Sequence, residues 1–300
     1  GICIPVGKDS MSMRTVWQDD EGEKSNTAPL SLIITAFTTV GDIRKTLTPQ
    51  LVTDQGDSQL LLIDLGRGKN RMAGSALAQV YREMTGSVPD LDKAEDLIAL
   101  FNLVKQCRDQ GSLLAYHDRS DGGLFATLCE MAFASHCGVD IQLETLTEAD
   151  SSLSIPALFN EEIGAVIQVK ADRVDAVQSL AASLGIGDCI VEVAMTNSSD
   201  CITVCHGSQE LLSHSRIDLQ RIWSATSYHM QSLRDNSDCA REEYDQILDQ
   251  KDPGMKIELA FDLNEDITAP YVNTNAQPRV SVLREQGVNG QIEMGAAFDR

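Results

Sequence analysis

The sequence predicts a mixed α/β (α+β) protein, on three observations. Short β-rich apolar runs alternate with amphipathic helical stretches, and glycines punctuate the helix ends. Apolar residues make up 42% of the 300 positions, enough to bury one or two cores.

The elements follow in order. Leu30–Thr39 (LSLIITAFTT) is a β-rich apolar run and reads as a buried strand, preceded by a charged turn at Gln18–Lys24. Gln59–Leu65 (QLLLIDL) is a second strand, closed by Gly66 and Gly68. A helix is expected over Met72–Met84, with Asn70 as its cap and Gly86 as its stop. Another runs from Asp92 to Arg108, where Leu97, Ile98, Phe101, Val104 and Cys107 recur at three and four and predict one buried face. The strand Leu113–Tyr116 leads through HDRSDGG into a helix over Leu124–Ser135 that stops near Gly138.

Strands follow at Val139–Leu143, Ile163–Val169, Ile190–Met195 and Ile202–Cys205, with a helix at Val174–Leu184 ended by Gly185. Gln209 to Leu248 reads as helical, and Lys251 to Gln277 as a polar linker. Arg279–Leu283 (RVSVL) reads as a strand and Gln291–Arg300 as the start of an amphipathic helix. A βα unit cannot bury its strand alone, so the polypeptide is expected to continue past Arg300 and to begin before Gly1.

Charge and cysteine usage narrow the function classes. The formal net charge of −21, from 45 acidic and 24 basic residues, argues against a nucleic-acid partner, because such binding rests on cations that displace counterions. Apolar runs such as Leu60–Leu65 are far too short for a bilayer, and no secretory leader is visible, so no membrane partner and a cytoplasmic location are expected. Cys3, Cys107, Cys129, Cys137, Cys189, Cys201, Cys205 and Cys239 form no Cys-x-x-Cys pair and no zinc-spaced cluster; buried free thiols are expected.

Three segments carry candidate chemistry. In AYHDRSDGGL (Ala115–Leu124) a buried strand delivers His117, Asp118, Ser120 and Asp121 onto a loop, and Gly122 and Gly123 open a helix. Glycines let a ligand approach the backbone, a helix N-terminus offers unpaired N–H groups, and a strand-end carboxylate can hold magnesium against phosphate. The plainer reading is a turn in which Ser120 or Asp121 caps the helix. GKDSMSM (Gly7–Met13) supplies Lys8, Asp9 and Ser10 but lacks the GxxxxGK[ST] form of a P-loop, and taken alone reads as a solvated turn. In LFNEEIGAVIQV (Leu158–Val169), the adjacent carboxylates Glu161 and Glu162 at a strand start could bind a metal, but surface charge is the plainer reading. No cysteine lies in a Gly-x-Cys-x-Gly elbow and no histidine is followed two residues later by Glu, so a class I glutaminase centre is not expected here.

Taken together, GKDSMSM, GRGKNRMAGSALAQV, AYHDRSDGGLFATLCEMAFA, LFNEEIGAVIQV and PRVSVLREQGVNGQIEMGAAFD resemble the long, single-chain type of formylglycinamide ribonucleotide amidotransferase (phosphoribosylformylglycinamidine synthase), in the right order over nearly the whole chain. That resemblance implies an internal fragment of the second of two halves similar to aminoimidazole ribonucleotide synthetase. Residues 1–59 would finish its N-terminal subdomain, 60–220 would be its C-terminal subdomain, 221–275 a helical segment and linker, and 276–300 a truncated βα start of the class I glutaminase. The implied reaction joins glutamine nitrogen, ATP and formylglycinamide ribonucleotide to give the amidine, ADP, phosphate and glutamate.

By the same resemblance Asp118 matches the magnesium-binding aspartate and Ser120 the nucleotide-contacting serine. Asp121, Gly122 and Gly123 would shape that loop, and Lys8, Asp9 and Ser10 would line the same or the pseudo-symmetric pocket. Mg2+ and ATP/ADP are the implied cofactors. In the long enzymes one pocket is catalytic and its pseudo-twin holds a structural nucleotide. The fragment alone is expected to show no glutaminase and little or no synthetase activity, with no catalytic residue of its own. Two alternatives stay open: a non-catalytic scaffold half with a structural nucleotide, or another ATP-dependent synthetase of the same superfamily. Against the latter, such chains end before a segment like Arg279–Arg300.

Overall fold

The computed structural model describes every residue except 1–3, 5–6, 8–12, 29–31, 149, 253, 255–257, 263, 272–273, 275–277 and 300. It divides into two compact units, Gly1–Leu248 and Asp249–Arg300.

In the first unit, β1 (Arg14–Asp19) and β2 (Gly22–Thr27) form a separate antiparallel hairpin, and the charged turn of the sequence is its tip. The main sheet holds β3 (Ser58–Asp64), β4 (Leu113–Asp118), β5 (Gly138–Gln142), β6 (Gly164–Lys170), β7 (Ile190–Asn197), β8 (Cys201–His206) and β9 (Gln209–Ser215). Its order is β4-β6-β3-β7-β5-β8-β9, and only the β5–β8 pair is parallel. The helices are α1 (Ala76–Tyr81), α2 (Ala94–Asp109), α3 (Gly123–Ser135), α4 (Ser154–Phe159), α5 (Val174–Ser183), α6 (Arg216–Arg234) and α7 (Ser237–Gln246), with α8 (Gln291–Asp299) in the second unit.

Strand β3 explains the layering. Its Leu60 and Leu62 enter one core with Leu124, Leu128 and Met131 of α3, while Leu61 and Ile63 enter another with Leu103 and Cys107 of α2 and Val177 and Ala181 of α5. Successive strand residues face opposite sides, so a strand covered on both must read as an unbroken apolar run. The result is helix, sheet, helix. Leu61, Ile63, Leu103, Leu124 and Leu128 are fully enclosed, each contributing about 1.5–3 kcal/mol of burial.

Several sequence expectations are corrected. Residues 32–39 form no strand, and Ile33 and Phe37 are exposed, because no described strand pairs with them; residues 30 and 31 lie outside the described set. The helix expected over Met72–Met84 is only α1: Ser75, not Asn70, caps it by accepting from the Ala78 N–H, and left-handed Arg82 ends it before Gly86. On α2 the buried stripe is Ala99, Leu100, Leu103 and Cys107, whereas Leu97, Ile98 and Phe101 are exposed. Small Ala99 lets the helix approach the sheet, and the buried Asp96, bound to Arg67, fixes its rotation. Gln209–Ser215 is strand rather than helix, since left-handed Gly207 turns the chain back against β8; α6 starts only after the Ser215 cap.

In the second unit Arg279–Leu283 forms no strand and Leu283 is exposed, with no pairing segment among the described residues. A helix, α8, is formed at Gln291–Asp299, but none of its residues is buried, so the amphipathic face expected there is not seen. The described cysteines are free, but Cys239 is exposed rather than buried and Cys201 and Cys205 are half-buried; Cys3 lies outside the described residues. No described helix is long and apolar enough to cross a membrane.

Candidate functional site

The polar centre of the molecule lies where three strands reach one end of the sheet. Antiparallel β6 lies between β3 and β4, so Asp64 at the end of β3 stands opposite Gly164, and Asp118 at the end of β4 stands opposite Ala165. Gly164 is required here: a Cβ would lie 2.2 Å from the Ile63 carbonyl oxygen.

Arg119 anchors the loop after β4. Its backbone N–H donates to the Gly164 carbonyl at 2.9 Å, and its buried guanidinium donates to Asp64 Oδ1 and the Glu162 carbonyl, both at 2.6 Å. Asp64 also accepts from the N–H groups of Gly66 and Gly68, the start of the glycine-rich loop before α1. A side chain at Gly66 would strike Glu162, 2.7 Å away.

The residues Asn160, Glu161 and Glu162 hold the neighbouring loops. Asn160 Nδ2 donates to Asn70 Oδ1 at 3.0 Å. Glu162, enclosed and 1% exposed, accepts from the Arg71 N–H and from its guanidinium at 2.7 Å. That carboxylate raises the Arg71 pKa further, so Arg71 is permanently charged and committed. Glu161 Oε1 accepts from two backbone N–H groups, Ala76 and Gly122, each at 2.8 Å. Glu162 is therefore not surface charge, and Glu161 is a bridge; a buried carboxylate persists only when paired.

The loop itself separates into buried and exposed members. Asp118, Ser120 and Asp121 are exposed, whereas Arg119 and Gly123 are buried. The Tyr116 hydroxyl donates to Asp118 Oδ1, and burial followed by that bond pushes the phenol pKa up, keeping its proton in place. Neither Ser120 nor Asp121 caps α3; the cap position is Gly122, left-handed at φ +85°, with no side-chain cap bond. Both glycines are demanded by packing, since a Cβ on Gly122 would lie 2.7 Å from the Ala126 Cβ and one on Gly123 would lie 2.6 Å from the Asn160 carbonyl oxygen. The Gly122 N–H, expected to be unpaired, is occupied by Glu161. His117, on the opposite face, contacts Glu130 Oε2 through Nε2 at 2.8 Å. Lys8, Asp9 and Ser10 lie outside the described residues.

Sequence reading missed Asp64, Arg71, Arg119 and Asn160, and took Glu161 and Glu162 for surface charge. The available signal was polar residues interrupting apolar runs at strand ends. Among the described residues no group of three or more His, Cys, Asp or Glu is arranged to hold a metal unaided.

Residues 59–198 match the family model of the AIR synthase related protein, C-terminal domain. Residues 1–39 match the FGAR-AT PurM_N-like domain. These two matches, in this order along the chain, support a fold of AIR synthase-related, FGAR-AT type. Among solved structures, T. maritima PurL complexed with ATP aligns at 10% identity and TM-score 0.46, covering 58% of this chain and 27% of that one. T. maritima PurL complexed with FGAR aligns at 13% identity and TM-score 0.46, covering 59% and 30%. E. coli HypE, a hydrogenase maturation protein, aligns at 17% identity and TM-score 0.40, covering 57% and 51%. The chain spans about a quarter to a half of the length of these proteins.

Proposed function

We propose that the Asp118–Gly123 loop forms part of a pocket for a magnesium-bridged adenine nucleotide, ATP or ADP. Asp118 is the metal-binding carboxylate and Ser120 the hydroxyl that meets the nucleotide. Asp121, Gly122 and Gly123 shape the loop, and Lys8, Asp9 and Ser10 line the same or a pseudo-symmetric pocket. The enzyme to which this part belongs is read as the cytoplasmic ATP- and glutamine-dependent ligase that converts formylglycinamide ribonucleotide to its amidine in purine biosynthesis. Its boundaries here are read as 1–59, 60–220, 221–275 and 276–300, the last being the start of a glutaminase domain.

One observation carries the site reading: the buried members of the loop are committed to the protein, while Asp118 and Ser120 project from a fixed backbone into solvent. The order of the two family matches supports the wider reading. The donor set fits magnesium, which is commonly held by one or two carboxylates plus phosphates and water rather than by an all-protein cage. Bound magnesium supplies charge neutralisation for the phosphate oxygens. This chain's own part is to orient: Arg119 holds the loop, Tyr116 keeps one Asp118 oxygen in place, and the Ser120 hydroxyl donates to a phosphate oxygen.

The test is Asp118→Asn. In the chain, calorimetric titration with Mg·ADP is expected to show affinity reduced at least about tenfold, the loss of roughly one charge-assisted contact. Unchanged affinity would sink the assignment. In the longer enzyme, lost turnover with stability intact favours a catalytic pocket; lost stability together with lost nucleotide favours a structural one.

A further inference from the structure

We infer that Glu161 is the positioning residue of the nucleotide loop, one of its carboxylate oxygens tying together the backbone N–H groups at the starts of α1 and α3. The inference rests on the nucleotide reading of the Asp118–Gly123 loop and adds a residue to it.

The geometry is specific. A single oxygen, Oε1, accepts at 2.8 Å from both the Ala76 N–H, the first residue of α1, and the Gly122 N–H, the cap position of α3. Helix N-termini carry unpaired donors and the positive end of the backbone dipole, so a carboxylate there is favourable, and two convergent N–H groups hold it in one place. Gly122 offers no side-chain cap of its own to α3. Without Glu161 its N–H would lose this acceptor, and left-handed Gly122 would lose the bond that fixes the loop relative to the glycine-rich segment ahead of α1.

The flanking residues reinforce this and do not duplicate it. Asn160 and the side chain of Glu162 bind the glycine-rich segment through Asn70 and Arg71; of these three consecutive residues, Glu161 is the one whose side chain reaches the Asp118–Gly123 loop. The cradle at α3 is therefore filled from within. A phosphate meets the exposed side chains of the loop, and Glu161 sets where those side chains stand. Partners of this kind, one step behind the ligand contacts, commonly control metal affinity by ten- to a hundredfold.

The test compares Glu161→Ala with Glu161→Gln in the 300-residue chain, since Gln keeps an oxygen acceptor and discards the charge. Amide exchange by NMR at Ala76 and Gly122 should accelerate together at least about tenfold in E161A and return to within a few-fold of wild type in E161Q. With both variants folded by circular dichroism, the magnesium dissociation constant at saturating ADP should rise about 10- to 100-fold in E161A and recover in E161Q. Unchanged exchange in E161A overturns the bridge. Faster exchange with unchanged magnesium affinity overturns positioning and leaves a merely structural bond. A Gln variant as weak as Ala overturns it too, because charge rather than acceptance would then be the role. If wild-type chain takes up no Mg·ADP, the nucleotide reading falls and the positioning role falls with it, while the exchange data still decide whether the bridge exists.

Discussion

Replacing Arg119 with methionine tests whether the sheet-end network holds the fold at this site. The guanidinium is 1% exposed and its Asp64 partner 9%. Truncation removes the bond to Asp64 and the bond to the Glu162 carbonyl, while the Arg119 backbone bond to Gly164 survives. Removing one member of a buried ion pair typically costs about 3–5 kcal/mol, because the other charge is left uncompensated. Asp64 keeps two N–H donors, from Gly66 and Gly68, which favours the lower end, about 3 kcal/mol. For a unit of this size that corresponds to a melting shift of about 6–12 °C. Urea denaturation followed by far-UV circular dichroism reads it directly. The double variant Arg119→Met, Asp64→Leu removes both charges and should be less destabilised than the sum of the single variants by at least about 1 kcal/mol. A loss below about 1 kcal/mol in Arg119→Met, or strict additivity in the double variant, would refute the reasoning.

Three further outcomes follow. Gly123→Ala should destabilise by more than about 2 kcal/mol, since it adds a left-handed penalty (φ +67°) to a 2.6 Å overlap; Gly185→Ala, left-handed in open space, should cost only about 1 kcal/mol, and equal losses in urea melts would contradict the packing argument. Cys239 should react with a thiol reagent at pH 8 in the native state, while Cys129 and Cys189, both pushed up to about 12 chiefly by burial, react only on unfolding; uniform labelling rates would contradict this. Asp96 is held below the usual carboxylate range, first by its bond to Arg67, so its contribution is present above the unfolded value near 3.8 and fades as pH falls through the lower folded value. The stability gap between wild type and Asp96→Asn, about 1.5–3 kcal/mol at neutral pH, should therefore shrink below about pH 4; a gap that widens with acid would reverse the sign.

How much of this was legible in the sequence depends on whether a residue's fate is set locally. Strand β3, buried on both faces, announces itself as a continuous apolar run, and the strand–loop–helix at β4 and α3 shows in Asp-Gly-Gly after a β-rich segment. The same local pattern is what singles out Asp118 and Ser120 as candidates, and both are exposed on that loop. What failed was set by distant partners. On α2, two apolar stripes competed, and the choice fell to the one placing Asp96 beside Arg67. The polar strand β9 is held by its backbone pairing with β8, which no side-chain pattern reports. Glu161 and Glu162 read as surface charge because their partners, Ala76, Gly122 and Arg71, lie far away along the chain.

That network also constrains where affinity for a phosphorylated ligand can come from. The chain carries −21 formal charge, and the described cations at this end of the sheet are already engaged: Arg119 by Asp64, Arg71 by Glu162 and Asp92, Lys69 by Asp92, and Arg67 by Asp96 and Asp188. Releasing any of them to a phosphate would leave a carboxylate unpaired, a loss comparable to the gain. The α3 cap N–H is engaged by Glu161 as well. On the reading proposed above, a nucleotide at the described loop would meet carboxylates and a hydroxyl, so its attraction would have to come from a divalent cation that both sides share. Binding of ADP to the chain should consequently be magnesium-obligatory, at least about 100-fold weaker in EDTA, equivalent to about 2.7 kcal/mol. Raising monovalent salt should affect it far less than removing the metal, because the described cations near the loop are held by carboxylates rather than free to face the ligand. Equal affinity with and without magnesium would place the phosphate against free lysine or arginine elsewhere, and the Asp118 assignment would be wrong.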